Sequence, residues 1–389
     1  MMSNSMRMLG KKSAEAVYII AEAGVNHNGD LELARRLIDI AADAGADAVK
    51  FQTFQAGKLT SRQAPKAAYQ KLNTTSEETQ FEMLSKLELN AVAHRLLIDH
   101  CRRRDIQFLS TPFDPESMDL LAGTFDLPVL KIPSGEITNG PFLLKAARTG
   151  KILVLSTGMS TLGEIETALG VLAFGYLDDN GQPSPEKMQR AYCSEAGQDA
   201  LAAKVTLLHC TTEYPAPYEE VNLRAMVTMQ HAFGLSVGLS DHTPGIAVPA
   251  AAVALGAVVI EKHFTLDKNM PGPDHSASLA PDELRAMIAS VRQIEKALGD
   301  GRKIPSPAEL KNRDVARKSL VAACPISKGE SFREDNIAIK RPGTGLSPMA
   351  YWSLLNGAAN RSYEKDDLID TLNCIAPNVV IESNESEKK

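Results

Sequence analysis

Two histidines stand where a metal ion could be held. His242 lies in Ser240-Asp241-His242-Thr243-Pro244-Gly245 and His263 in Glu261-Lys262-His263-Phe264. Each closes a short apolar run that reads as a β-strand, Leu235 to Leu239 and Val258 to Ile260. Imidazoles at the ends of consecutive parallel strands point into the same space. The Ala/Val-rich stretch between them, Ile246 to Gly256, reads as a buried helix. Two imidazoles leave coordination positions for water and substrate oxygens, which suits a catalytic rather than a structural ion. Nitrogen with oxygen donors favours Mn2+, with Mg2+, Co2+ and Zn2+ also compatible. A pair of satisfied core histidines is the competing reading.

A second set of residues is cationic. Lys50 and Lys131 fall at the ends of apolar runs in a chain whose net charge is −6. With Thr111, Ser134, Ser156 and Ser240 around them they suit a phosphate or a carboxylate. A small phospho-carboxylate is the expected ligand. Glu22 and Glu136 are the candidate acid–base carboxylates. His27 and His209 fit either such work or the hydrogen bonding of loops.

Strands must bring these groups together. Candidate strands are Val17–Ala21, Ala48–Thr53, Gln107–Ser110, Val129–Ile132, Ile152–Ser156, Val205–His209, Leu235–Ser240 and Val258–His263. Helical patterns follow them, including Leu31–Ala44, Thr161–Phe174, Leu223–Phe233 and Pro281–Leu298. This rhythm is that of an α/β protein, a (β/α)8 or TIM barrel. A doubly wound open sheet competes, but no GxGxxG turn follows the first strand. Nearly every strand ends in polar groups: Glu22 and Asn26, Lys50 and Gln52, Ser110 and Thr111, Lys131 with Ser134 and Glu136, Ser156 and Thr157, His209 with Thr211 and Thr212, Ser240 and His242, and His263. One strand-end Ser or Thr commonly just caps the next helix. So many together indicate an active site at the barrel's carboxyl-terminal face.

The chain has 389 residues, enough for one large and one smaller domain. Its 44% apolar, 23% charged and 5% aromatic content is ordinary for a globular protein. The acidic balance argues against nucleic acid or membrane partners, so an anionic substrate needs local cations. Apolar stretches fall short of a membrane span and the N-terminus lacks a signal-peptide core. The cysteines Cys101, Cys193, Cys210, Cys324 and Cys374 show no CxxC spacing and read as reduced cytoplasmic thiols. The domain reading is a disordered start over 1–15, a barrel over 16–298, a Gly/Pro/charge-rich linker over 299–318, a small module over 319–377 and a disordered tail over 378–389. The Asp178 to Gln198 segment reads as an insertion or long loop.

At this point the chain resembles the N-acetylneuraminate (sialic acid) synthases and their legionaminate and pseudaminate relatives. The motifs are AEAGVNHNGD (21–30), VKFQTF (49–54), STPFD (110–114), KIPSGEI (131–137), LSTGMS (155–160), HCTTEYPAP (209–217), GLSDHTPG (238–245), EKHFTLD (261–267), GPDHSAS (272–278) and KRPGTG (340–345). The last motif lies in a module similar to the antifreeze-like (SAF, β-clip) domain. The resemblance implies a transferase that condenses phosphoenolpyruvate with an N-acetylated mannosamine-type sugar, releasing phosphate. It implies that Lys50, Thr111, Lys131, Ser134, Ser156 and Ser240 hold phosphoenolpyruvate. By the same resemblance His242 and His263 bind the metal, Gln52, Glu136, Tyr214 and Asp274 contact the acceptor, and Glu22 acts as acid–base. It further implies a domain-swapped homodimer in which Arg341 reaches the partner's active site.

Thr212 and Glu213 depart from some sialic acid synthases, which carry asparagine and an apolar residue there. The acceptor therefore stays open between N-acetylmannosamine and 2,4-diacetamido-2,4,6-trideoxymannose, with an altrose-type sugar as a pseudaminate alternative. Arabino-heptulosonate-type synthases, which use phosphorylated acceptors, and a catalytically silent SAF-domain polysaccharide-biosynthesis protein are the competing readings.

Overall fold

A computed structural model of the chain describes residues 16–67, 70, 78–177 and 181–369. These fall into two units, Met1–Gly299 and Asp300–Lys389. The chain ends read as disordered and Cys374 lie outside the described residues.

The first unit contains eight parallel strands: β1 (Tyr18–Gly24), β2 (Ala48–Thr53), β3 (Gln107–Pro112), β4 (Val129–Ile132), β5 (Ile152–Ser156), β6 (Val205–Cys210), β7 (Ser236–Asp241) and β8 (Val259–His263). The sheet order is β3-β2-β1-β8-β7-β6-β5-β4. β3 and β4 lie side by side, yet no ladder joins them among the described residues. This is the expected TIM barrel, and each expected strand is present.

Strand alternation decides what faces the barrel axis. Tyr18, Ile20, Ala48, Leu109, Val129, Ile152, Val154, Leu208 and Val259 form the inner apolar layer. Residues of opposite parity, such as Ile19, Val49, Phe108, Leu130, Leu155, Leu207, Val237 and Ile260, pack outward under the helices. Helix Leu31–Ala44 shows how the outer ring is fixed. Asp30 caps its first turn, Gly45 ends it in the left-handed region, and Ala34, Leu37, Ile38 and Ala41 face the sheet. That spacing is one stripe of a 3.6-residue repeat. Helix Pro281–Leu298 repeats the arrangement with Leu284, Met287, Ile288 and Val291.

Three expectations are corrected. The helix between the two histidine motifs, Ala247–Ala254, buries Pro249, Ala252 and Val253, whereas Ala247, Ala251 and Ala254 are exposed. Alanine carries too weak a polarity contrast to mark which face is covered. The segment read as a long loop holds helices Pro185–Tyr192 and Glu195–Lys204, capped by Ser184 and Ser194. Residues 178–180 lie outside the described residues. The linker stretch contains helix Pro307–Ala316, started by a Ser306–Glu309 capping box and burying none of its residues. Its proline occupies the first helical turn, where no backbone N–H is needed.

The second unit carries an antiparallel pair, β9 (Ser319–Ala322) and β10 (Ile337–Lys340). Its own core gathers Leu320, Ala322, Ile326, Phe332, Ile337, Leu354, Ala359, Tyr363 and Ile369. Among the described residues no helix is long and apolar enough to cross a membrane.

Candidate active site

The inner-face parity continues upward past the apolar layer. Glu22 follows Tyr18 and Ile20, Lys50 follows Ala48, Thr111 follows Leu109, and Lys131 follows Val129. Ser156 follows Val154, Cys210 follows Leu208, and Glu261 and His263 follow Val259. Register then makes neighbours of them. Glu22 pairs with Lys50 on one side and with His263 on the other, and Ser240 pairs with both Cys210 and Glu261. These side chains line one cavity of about 360 Å³ at the carboxyl-terminal mouth of the barrel.

Lys50 Nζ lies 2.5 Å from Glu22 Oε2 and 3.4 Å from Glu261 Oε2, and donates to Thr111 Oγ1 at 3.0 Å. Lys131 Nζ lies 3.4 Å from Glu261 Oε1, to which Ser240 Oγ donates at 2.7 Å. Glu261 is thus the shared anion between two buried cations. Burial pushes its carboxyl up, but Lys131, Lys50 and the Ser240 hydroxyl outweigh it and hold it at about 2. Glu22 goes the other way. Burial raises it to about 7, against the pull of Lys50 and with the help of Glu261. Lys131 is lowered by burial, whereas for Lys50 the two carboxylates overcome burial and raise it. With Glu22 protonated the cluster holds one surplus positive charge, as an anionic ligand requires. Ser156 Oγ is buried with no hydrogen-bond partner, and Ser134 Oγ accepts from Gly158 N at 3.0 Å.

The two histidines meet beside this cluster, ring centroids 5.6 Å apart. Tyr214 packs against both, tilted over His242 at 4.1 Å and edge-on to His263 at 5.8 Å. His242 Nδ1 donates to the Thr211 carbonyl at 2.8 Å, so its Nε2 is left as the lone-pair nitrogen. His263 Nδ1 is buried with no hydrogen-bond partner. Burial and the neighbouring His242 keep His263 well below its ordinary pKa and therefore neutral. Gly24, at φ +54°, leaves room here: a Cβ would come within 3.2 Å of Glu22 Oε1 and 3.3 Å of His263 Nδ1. The neutral His263 with its orphaned Nδ1, together with the lone-pair Nε2 of His242, fits a divalent metal as a two-histidine set, although at His242 burial is outweighed by the neighbouring Cys210, which raises that imidazole's pKa. Among the described residues no cluster of three or more His, Cys, Asp or Glu forms a closed metal centre, so other donors would be water and substrate. Asp274, raised by burial to about 6, completes this side.

Of the expected residues, the cavity gathers Glu22, Lys50, Gln52, Thr111, Lys131, Ser134, Ser156, Tyr214, Ser240, His242, His263 and Asp274. Glu136 is not on its wall. It sits half-buried on the turn Ser134–Glu136 and accepts from Asn139 Nδ2 at 2.6 Å. Arg341 is an exposed residue of the second unit, its Nε donating to the Ala316 carbonyl at 3.1 Å. Ser110 and His209 have outward parity. Ser110 meets Thr53 Oγ1 at 2.6 Å, and His209 Nε2 donates to the Val221 carbonyl at 2.6 Å. His27 Nδ1 accepts from Gly29 N, a loop-orienting bond. Glu261 and Cys210 were not singled out from the sequence. The signal for Glu261 was its place two residues before His263, on the same strand face.

Residues 37–303 match the NeuB family and residues 317–370 the SAF domain. The chain is 54% identical to the N,N'-diacetyllegionaminic acid synthase of Campylobacter jejuni over 351 residues, 90% of this chain and 98% of that one. It is 45% identical to the synthase of the same name from Legionella pneumophila, covering 86% and 88%. Among solved structures, the N-acetylneuraminic acid synthetase of Leptospira borgpetersenii is similar at 33% identity and TM-score 0.61, covering 76% and 90%. The Bacillus subtilis spore coat polysaccharide biosynthesis protein is similar at 35% and 0.57, covering 95% and 97%. With a matching barrel, a matching end module and this extent of identity, the chain belongs to the NeuB family and carries a SAF domain.

Proposed function

We propose that this chain condenses phosphoenolpyruvate with 2,4-diacetamido-2,4,6-trideoxymannose to give N,N'-diacetyllegionaminate and inorganic phosphate. The observation that carries the reading is its 54% identity to a synthase of that name along nearly the whole of both chains. Pseudaminic acid synthases are more distant, at 35%. The charge pattern of the cavity supports the donor half: Lys50 and Lys131 offset phosphate and carboxylate charge, Thr111, Ser134 and Ser156 supply hydroxyl donors, and Ser240 lines the same wall with its proton given to Glu261.

In the reaction, C3 of phosphoenolpyruvate bonds to the sugar aldehyde carbon, water adds at C2, and the C2–O bond to phosphate breaks. His242 and His263 would hold a divalent ion, Mn2+ first among Mg2+ and Co2+. Bound there, such an ion supplies Lewis-acid polarisation of the aldehyde. Glu22, buried and near half-protonation at neutral pH, gives a proton to the developing alkoxide or takes one from the water. Glu261 stays ionised and orients both lysines. Gln52, Tyr214 and Asp274 face the acceptor, and Arg341 serves a partner's site in a homodimer. The enzyme works in the cytoplasm.

Phosphate release from phosphoenolpyruvate with Mn2+ and a panel of acceptors tests the reading. The diacetamido sugar is expected to exceed N-acetylmannosamine and the altrose-type sugar in kcat/KM. A clear preference for either of the others refutes the assignment.

A further inference from the structure

The ladder between β7 and β8 ends one residue short of His242. Its last pair is Asp241 with Lys262, and His242 lies on the turn beyond. His263 is still within β8, where it pairs with Glu22 of β1. The ladder alone therefore does not set how far apart the two imidazoles stand. The loop after β6 holds His242 from one side, through the Thr211 carbonyl on Nδ1 and through Ala216 N, which donates to the His242 carbonyl at 2.9 Å. From β8 the tie is a side chain.

Lys262 Nζ donates to Asp241 Oδ2 and to the Thr243 carbonyl. Asp241 Oδ1 accepts from Thr243 N at 3.1 Å and from Thr243 Oγ1 at 2.9 Å. One ammonium and one carboxylate thus engage all three polar groups of the residue after His242. By strand parity both face outward, behind the cavity wall that Ser240, His242, Glu261 and His263 line. Their side chains are 0% and 1% exposed, so neither touches a substrate. Burying two charges costs desolvation that their attraction returns only in part, and an apolar pair could fill the same space. What an apolar pair cannot do is satisfy an N–H, a hydroxyl and a carbonyl together.

Resting on the two-histidine metal site of the function proposed above, we infer that Lys262 and Asp241 are positioning residues for that site. Through Thr243 they lock the His242 turn to β8 and so fix the separation of the two imidazoles. Because the pair is neutral as a whole, it holds this geometry without setting a net charge behind a divalent cation. Groups that orient metal ligands from behind are worth about 10- to 100-fold in metal affinity.

Mn2+ binding to the dialysed full chain, measured by isothermal titration calorimetry, tests this, with folding followed by circular dichroism. Lys262→Met and Asp241→Asn should each raise the Kd for Mn2+ by about 10- to 100-fold. The shared direction is the discriminating result. Charge alone would move them oppositely, tightening Mn2+ in Lys262→Met, which leaves a bare carboxylate, and weakening it in Asp241→Asn, which leaves a bare ammonium. Thr243→Val keeps both charges and removes one hydrogen bond to Asp241, so it should weaken Mn2+ in the same sense. It decides the matter if losing one charge of a buried pair prevents folding. Opposite shifts in the two charge variants, an unchanged Kd in them, or an unchanged Kd in Thr243→Val if neither folds, overturns the inference while the metal assignment stands. No Mn2+ bound by the wild type overturns both.

Discussion

Glu261 receives Ser240 and sits 3.4 Å from each of Lys50 and Lys131, so a single carboxylate sets the spacing of the two cations. Removing its charge leaves two lysines to repel each other in a buried space. Glu261→Gln should therefore lower turnover by about 100-fold or more, on the scale of losing a preorganised electrostatic group, with the fold retained by circular dichroism. Activity within a few fold of wild type would remove Glu261 from this role. For the metal, His263→Ala should lose stoichiometric Mn2+ by elemental analysis of dialysed protein, whatever its residual activity. Equal Mn2+ in both proteins would refute the ligand assignment.

At the scale of elements, the barrel was readable because its strands are short apolar runs punctuated by polar ends, and all eight occur where expected. Most of the site was readable for the same reason. What escaped was parity. Ser110 and His209 share strand ends with Thr111 and Cys210 but face the helices, because successive side chains alternate sides. Glu136 escaped differently: it lies on a short turn after β4, where no strand period applies. Helix Pro307–Ala316 was hidden by proline and charge, which serve equally as helix start or linker. Parity also explains Gly238, which faces inward on β7. A Cβ there would meet the Val259 carbonyl oxygen at 2.4 Å and Leu208 Cδ2 at 2.8 Å. Gly238→Ala should cost about 1–3 kcal/mol through overpacking, read as a lower urea midpoint. An unchanged midpoint would mean that the strands part without penalty.

For the whole molecule, pH enters through buried neutral histidines. Burial lowers His27 to about 4 from its ordinary 6.5 and also lowers His94. Their folded-state pKa lies below the unfolded one, so the unfolded chain binds more protons as acidity rises. The stability they contribute is complete above about 6.5 and is lost as pH falls toward 4. Thermal midpoints should drop across that window, and less steeply in His27→Gln; a flat wild-type profile would contradict this. The homodimer proposal is tested by mixing Arg341→Ala subunits with Lys131→Met subunits, which should restore part of the activity in confirmed heterodimers. No recovery would confine Arg341 to its own unit. One last consequence follows from the ladder that runs from β3 round to β4 without joining its ends. Thr111 stands on one lip of that gap and Lys131 on the other. On the proposed function, a phosphoenolpyruvate gripped by both would close the hoop like a clasp, making the donor substrate a structural member of the barrel it enters. Amide hydrogen exchange along these two strands should slow when it binds, and quicken again once phosphate departs.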